Sequence, residues 1–216
     1  YFTYGIRDFS LDSYEELDKI LEETNHADDL RLMVRVATSG SYAAHALTGK
    51  FGISMLEMPD LLRECQRHAT ATGICFHVGS QCMDPQAYSH AIVLVGKMLR
   101  TYRLTVDILD IGGGFPSIYP GMEPPVMERY MHTIKRAFAM FLRRNPGCEL
   151  WCEPGRALVA EGGSLLVRVE LRKGNQLYIN DGIYGTLFDA GVTHMRYPTR
   201  MLTGKDKAAS PTLEAF

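Results

Sequence analysis

Nowhere in the 216 residues is there a run approaching the roughly 18 apolar residues that a membrane span needs, so no membrane partner is expected. The chain has little excess of either charge: 23 Lys and Arg against 25 Asp and Glu give a formal net charge of −2. That balance offers no basic surface for nucleic acid. Cysteine is scarce and odd in number. Cys65, Cys75, Cys82, Cys148 and Cys152 include no CxxC pair, which argues against a disulfide framework and for a reducing cytoplasm. Cys148 and Cys152 have no pair of histidines nearby, so they read as ordinary buried thiols, and no metal is expected. The opening "YFTYGIRDFS" has neither a basic n-region nor a long apolar h-region and is not a secretory signal. It also lacks a starting Met and opens inside a strand-like pattern. No internal repeat and no low-complexity tract occurs.

What is present is an ordinary globular balance, 46% hydrophobic and 22% charged, enough to bury a large core. Strands and helices alternate. "IRDFSLDS" reads as a short strand, and "SYEELDKILEET" as a helix with Ser13 as N-cap and Glu16 three residues on. "DLRLMVRVA" is the next strand, and "EMPDLLRECQRHATATG" the next helix, closed by Gly73. "ICFHVGS" is a strand, and "PQAYSHAIVLVGKMLRTY" a helix with Pro85 near its start. "VDILDIGGG" is a strand, "PPVMERYMHTIKRAFAMFLRRN" a long helix and "ELWCEP" a strand. Near-continuous apolar strands separated by helices predict an α/β fold with a parallel sheet, in the form of part of an α/β barrel. Residues 1–162 form this barrel segment. From 163 to 216 the pattern changes: Ser164 to Gly191 alternate apolar and polar residues with no helix between the strands, Gly174-Asn175 makes a hairpin turn, and the final "GKDKAASPTLEAF" is mostly polar. This reads as the start of a second, β-rich domain.

In an α/β barrel the chemistry sits at the C-terminal ends of the strands. Those ends carry Arg35 in "MVRVATSG", His77 and Ser80 in "FHVGSQ", Gly112, Gly113 and Gly114 in "DIGGGFP", and Glu153 and Arg156 in "CEPGR". Each alone has a plain explanation: a satisfied polar residue, a common turn, a solvated charge. Four such ends at one mouth are complementary. Three glycines bare backbone N–H groups that can approach an anion closely, and a helix is expected shortly after them. Arg156 adds a permanently charged fork suited to phosphate, and Ser80 one more hydrogen bond. Glu153 would repel a phosphate and makes sense facing a cation, such as the protonated ring nitrogen of a phosphorylated heterocycle. His77 could lie flat against that ring.

"FHVGSQCMDP", "LDIGGGFP", "CEPGRALVA" and "NDGIYGTLFD", in this order and spacing, resemble the pyridoxal-phosphate decarboxylases with an alanine-racemase-like barrel, in particular the bacterial ornithine/lysine decarboxylases. The resemblance covers essentially the whole chain. It implies that His77 stacks on the cofactor ring and that Ser80, Gly114 and Arg156 hold its phosphate, with Gly112 and Gly113 shaping the cradle. Glu153 would pair with the pyridine nitrogen, and Pro154 and Gly155 would form the turn that splays acid from base. Arg35 matches a family arginine beside the cofactor. Asp189, after Phe188, matches the carboxylate that reads the distal amine of the substrate, and Tyr184 a tyrosine near a dimer interface. The implied activity is decarboxylation of ornithine, and of lysine as well, to putrescine or cadaverine in polyamine biosynthesis, by a cytoplasmic homodimer with active sites at its interface. A diaminopimelate decarboxylase is the alternative within the class. A non-catalytic homologue that binds a regulator is the alternative outside it.

Two family elements match nothing here. The lysine that holds the cofactor belongs to a strand that would precede Tyr1, and the acid-donating cysteine follows a Gly-Pro-Thr motif that would lie beyond Phe216. Lys19, Lys50, Lys97, Lys135, Lys173, Lys205 and Lys207 match neither motif nor position. The chain therefore reads as an internal segment of a longer enzyme, expected to be inactive alone.

Overall fold

A computed structural model of the chain describes residues 1–38, 43–45, 49–192, 195–202 and 214–215. They fall into two compact units, Tyr1–Pro116 with Pro124–Leu158, and Ser117–Glu123 with Val159–Phe216.

The first unit alternates strand and helix. In chain order it contains β1 (Asp8–Leu11), α1 (Tyr14–Glu23), β2 (Arg31–Val36), β3 (Ala43–His45), α2 (Met58–His68), β4 (Ala71–Phe76), β5 (Ser80–Cys82), α3 (Gln86–Tyr102), β6 (Ile108–Asp110), α4 (Met127–Leu142) and β7 (Glu149–Trp151). Five strands form one sheet in the order β1-β2-β4-β6-β7, every neighbouring pair parallel. The order never reverses once the small antiparallel pair β3–β5 is set aside. A doubly wound sheet reverses at a switch point; a steady progression is the arrangement of an arc of a (β/α)8 barrel, as expected.

The two faces of the sheet differ because side chains alternate along a strand. Leu32, Val34 and Val36, with Ile74, Phe76 and Leu109, are buried in one core with the helices. α1 contributes Leu17, Ile20 and Leu21, α3 contributes Tyr88, Ile92, Val95 and Leu99, and α4 contributes Tyr130, Ile134 and Phe141. These positions recur at helical spacing, and each large side chain fully buried contributes about 1.5–3 kcal/mol. On the opposite face Met33, Cys75 and Ile108 form a separate small cluster against Trp151. The register continues that face toward the strand ends, pairing Arg35 with Cys75, Cys75 with Asp110 and Asp110 with Trp151. Polar residues therefore line up across the sheet.

Ser13 caps α1 as anticipated, its Oγ accepting from the Glu16 N–H at 3.2 Å. Gly73 does not close α2. The helix ends at His68, and Gly73 lies in β4 between Met33 and Ile108. β-Branched Thr70 and Thr72 favour extended backbone, and a Cβ on Gly73 would stand 2.8 Å from the Ile108 carbonyl oxygen, so glycine here permits close strand approach. Nor does a helix follow the glycine triplet closely: α4 begins only at Met127. Cys148 is buried as expected, whereas Cys152 is exposed.

In the second unit, β8 (Val169–Lys173) and β9 (Gln176–Ile179) form an antiparallel hairpin, and Gly174, at φ +58°, makes the anticipated turn. β10 (Glu214–Ala215) adds to β9 in parallel. Two short helices were not foreseen: α5 (Arg156–Val159), at the junction of the units, and α6 (Phe188–Val192), which falls inside the stretch read as helix-free. Among the described residues no helix is long and apolar enough to cross a membrane.

Candidate active site

The C-terminal ends of β4, β6 and β7 are stitched together through backbone. Ile111 N–H donates to the Trp151 carbonyl at 3.0 Å, and Glu153 N–H to the Gly112 carbonyl at 2.9 Å. Past β4, the Gly79 N–H donates to His77 Nδ1 at 2.9 Å, and the Thr38 hydroxyl donates to the His77 carbonyl at 2.6 Å. With Nδ1 engaged as acceptor, the neutral imidazole carries its proton on Nε2. Burial and the neighbouring Arg35 cation lower the His77 pKa, against the opposing charge of Asp110, so the ring is neutral at pH 7.

The glycine triplet is packed tightly by its own protein. Gly112 has φ +65°, and a Cβ there would lie 2.1 Å from the Phe76 carbonyl oxygen. Gly114 has φ +97°, and its Cβ would meet the Gly79 carbonyl oxygen at 2.4 Å. Both positions thus exclude side chains by conformation and by space. A Cβ on Gly113 would stand 2.7 Å from the Glu153 carbonyl oxygen and 3.0 Å from His77 Nε2, which brings these three residues together. The turn is held from behind: the Tyr88 hydroxyl donates to the Gly113 carbonyl at 3.0 Å, and the Gly114 carbonyl accepts from Cys82 N–H at 2.9 Å.

Glu153 and Arg156 face different neighbours. Arg156 Nη2 lies 3.5 Å from Ser80 Oγ, at the limit of a hydrogen bond. Pro154 and Gly155 form the turn between acid and base, and Leu158 N–H closes it on the Gly155 carbonyl at 2.9 Å. Partial burial and then the negative charge of Asp110 raise the Glu153 pKa, against the pull of Arg35. Both carboxyls line a cavity of about 420 Å³, with Asp8, Ser10, Met33, Trp151 and Cys152. Arg35 sits 4.9 Å from the Phe51 ring centroid in a cation–π contact.

Tyr184, Phe188 and Asp189 belong to the other unit. Tyr184 is fully exposed, Phe188 is exposed at the start of α6, and Asp189 is half-buried beside it. The Asp189 carbonyl accepts from Met195 N–H at 3.4 Å.

Two residues escaped sequence reasoning. Asp110 is 3% exposed, its Oδ1 accepting from Gly112 N–H at 2.8 Å. The signal was present, as a carboxylate two residues before Gly112 in an apolar strand falls on the same face as the glycine and Glu153. Tyr88 reads as one more apolar position of α3, and nothing local marks its hydroxyl.

The family model described as "Pyridoxal-dependent decarboxylase, pyridoxal binding domain" matches residues 2–160. Lysine/ornithine decarboxylase of Selenomonas ruminantium is 32% identical over 207 residues, covering 90% of this chain and 50% of the relative. Antizyme inhibitor 2 of Mus musculus is 28% identical over 231 residues, covering 96% of this chain and 49% of the relative. The crystal structure of lysine/ornithine decarboxylase from Vibrio vulnificus complexed with cadaverine superposes with a TM-score of 0.74 at 28% identity, covering 94% of this chain and 54% of that one. The chain thus spans about half the length of the curated relatives it matches.

Proposed function

Because the chain belongs to the pyridoxal-dependent decarboxylases, we propose that it forms the cofactor-holding part of an enzyme that decarboxylates a basic amino acid, ornithine first and lysine second. One observation carries this reading: His77, the Gly112–Gly114 turn and Glu153 meet at the ends of β4, β6 and β7, with Arg156 turned aside toward Ser80.

The residues fit pyridoxal phosphate. Arg156 and Ser80 offer a cation and a hydroxyl for the phosphate, with backbone N–H groups of the glycine turn. Any side chain at Gly113 would fill the space next to the His77 imidazole. A neutral imidazole suits stacking on a cationic ring, because it adds no charge repulsion. Glu153 supplies the carboxylate that favours a protonated ring nitrogen. When bound, pyridoxal phosphate supplies the electron sink for the electron pair left by departing carbon dioxide. Glu153 keeps that sink charged, Arg156 fixes its far end, and Arg35 balances the carboxyls on the same sheet face. Asp189 takes the distal ammonium of the substrate. The protein acts as a homodimer, with Tyr184 at the interface.

The test is carbon dioxide release from ornithine, lysine and arginine by the whole protein with added pyridoxal phosphate. Ornithine turnover above lysine is the expected result. No release above the cofactor-only control with any of the three would overturn the reading. The likeness to antizyme inhibitor 2 favours a second reading, a homologue that binds a regulator without turnover. That reading predicts no release, with Glu153→Gln and Arg156→Ala leaving regulator binding intact.

A further inference from the structure

Ser80 is followed by a strained piece of backbone. Gln81 is 1% exposed and has φ +54°, in the left-handed region that residues other than glycine rarely occupy. Such a conformation persists only where the surroundings hold it. Here they take hold at the next residue. The Cys82 N–H donates to the Gly114 carbonyl at 2.9 Å, and the Cys82 carbonyl accepts from the Tyr130 hydroxyl at 2.7 Å. β3 also lies along this strand, with Ala43 opposite Cys82 and His45 opposite Ser80.

Tyr130 reaches Cys82 from α4, 48 residues further along the chain, and is fully buried. Its ring stands edge-on to Tyr88 at 6.2 Å and to Phe115 at 6.5 Å. A phenylalanine would make the same ring contacts, so packing alone does not call for the hydroxyl. The two helix tyrosines divide the proposed phosphate cradle between them. Tyr88 holds the glycine half through the Gly113 carbonyl, and Tyr130 holds the serine half through the Cys82 carbonyl. The bond from Cys82 N–H to the Gly114 carbonyl ties the halves together.

We propose that Tyr130 is a positioning residue for the phosphate subsite. By holding the Cys82 carbonyl it keeps Gln81 in left-handed backbone, and so keeps the Ser80 hydroxyl beside Arg156, whose Nη2 lies 3.5 Å away. The inference rests on the phosphate role proposed for Ser80 and Arg156 and deepens it. Tyr130 itself touches no ligand. With Gln81 relaxed into an ordinary right-handed or extended conformation, the chain would run out of Ser80 in another direction and the hydroxyl would part from Arg156. Tyr130 therefore sets the preference for a phosphorylated ring over the same ring without its phosphate.

The test compares pyridoxine 5′-phosphate with pyridoxine by equilibrium dialysis against the whole protein. Neither has an aldehyde, so both bind without a Schiff base and without turnover. Tyr130→Phe should weaken the phosphate ester by about tenfold, the size of one hydrogen bond to a charged group, and leave pyridoxine unchanged. A merely structural role would weaken both alike. Ser80→Ala should show the same split, and adding Tyr130→Phe to it should cost little more, because both act through one hydroxyl. Gln81→Thr gives an independent arm if Tyr130→Phe folds poorly: the β-branched residue resists φ +54° with Tyr130 in place, and the same split is expected. An ester-to-alcohol affinity ratio unchanged in Tyr130→Phe or in Gln81→Thr would overturn the proposal, as would fully additive losses in the double variant. A wild-type protein that binds the two ligands equally would instead refute the phosphate reading on which the proposal rests.

Discussion

Removing one oxygen from the core should loosen the phosphate cradle from behind. Tyr88 is fully buried; its ring stacks on Phe115 at 4.9 Å and meets Tyr130 edge-on at 6.2 Å. Its hydroxyl donates to the Gly113 carbonyl at 3.0 Å. The Gly113–Gly114 peptide is planar and trans, so its N–H points opposite to its carbonyl. Holding that carbonyl toward α3 therefore aims the Gly114 N–H away from the core, toward the side where an anion would lie. Tyr88→Phe keeps the ring contacts and removes the donor. The lost hydrogen bond, together with a buried carbonyl left unpartnered, should cost about 1–3 kcal/mol of stability. A hydrogen bond to a charged phosphate contributes roughly 1.5–3 kcal/mol, so a freely turning peptide should weaken pyridoxal phosphate binding by about tenfold or more. Urea denaturation reads the first effect. Quenching of Trp151, the chain's single tryptophan and part of the cavity wall, reads the second. Lower stability with unchanged affinity would refute the reasoning about peptide orientation, and no change in either would remove the hydrogen bond from the account.

Glu153→Gln in the complete enzyme should lower turnover on the order of 10²-fold, because one preorganised electrostatic contact is lost. Cofactor retention should be nearly normal, since the phosphate contacts remain; equilibrium dialysis and steady-state rates separate the two. The same substitution should alter the pH dependence of folding. The Glu153 pKa is raised in the folded state, so its contribution is fully present below the unfolded value, near 4.5, and is lost as pH rises through the folded value. Denaturation midpoints should therefore favour Glu153→Gln over wild type increasingly as pH climbs from 4, then level off. His77 has the opposite slope: its lowered folded pKa makes the wild type lose stability as pH falls below about 6.5, and His77→Gln should lack that loss. Asp189→Ala should mainly raise the Michaelis constant for ornithine, and an unchanged constant would remove Asp189 from the site.

The arc of parallel strands was legible because its signal is repeated: each strand is a short apolar run and each helix has an apolar stripe. The glycine triplet, His77, Glu153 and Arg156 were legible because they interrupt apolar runs at strand ends. Errors came where one residue has two readings. Gly73 ends helices as readily as it admits close strands, and only pairing with Met33 and Ile108 decides between them. The reason for the triplet was half seen. Anion approach explains bare N–H groups, but φ +97° at Gly114 and the nearness of the Gly79 carbonyl are set by a loop 35 residues away in the chain. β3 and β5 were missed because a three-residue pair has too little pattern to stand out. Tyr88 was missed because a buried hydroxyl resembles any other apolar helix position until its partner is known.

The two faces of the sheet support the same functional reading by different routes. The helix-facing side is apolar throughout and accounts for folding. The other side carries Arg35, Asp110 and Glu153 next to only a small apolar cluster. A buried acid such as Asp110 costs stability unless it is paired, and replacing such groups with well-packed apolar residues is often neutral or stabilising. A sequence shaped by folding alone has no reason to keep them. The proposed cofactor would use them, with a carboxylate at one end, a guanidinium at the other and a neutral imidazole alongside. The polar face of the sheet is therefore an argument for the proposed cofactor site that rests on strand register as well as on resemblance.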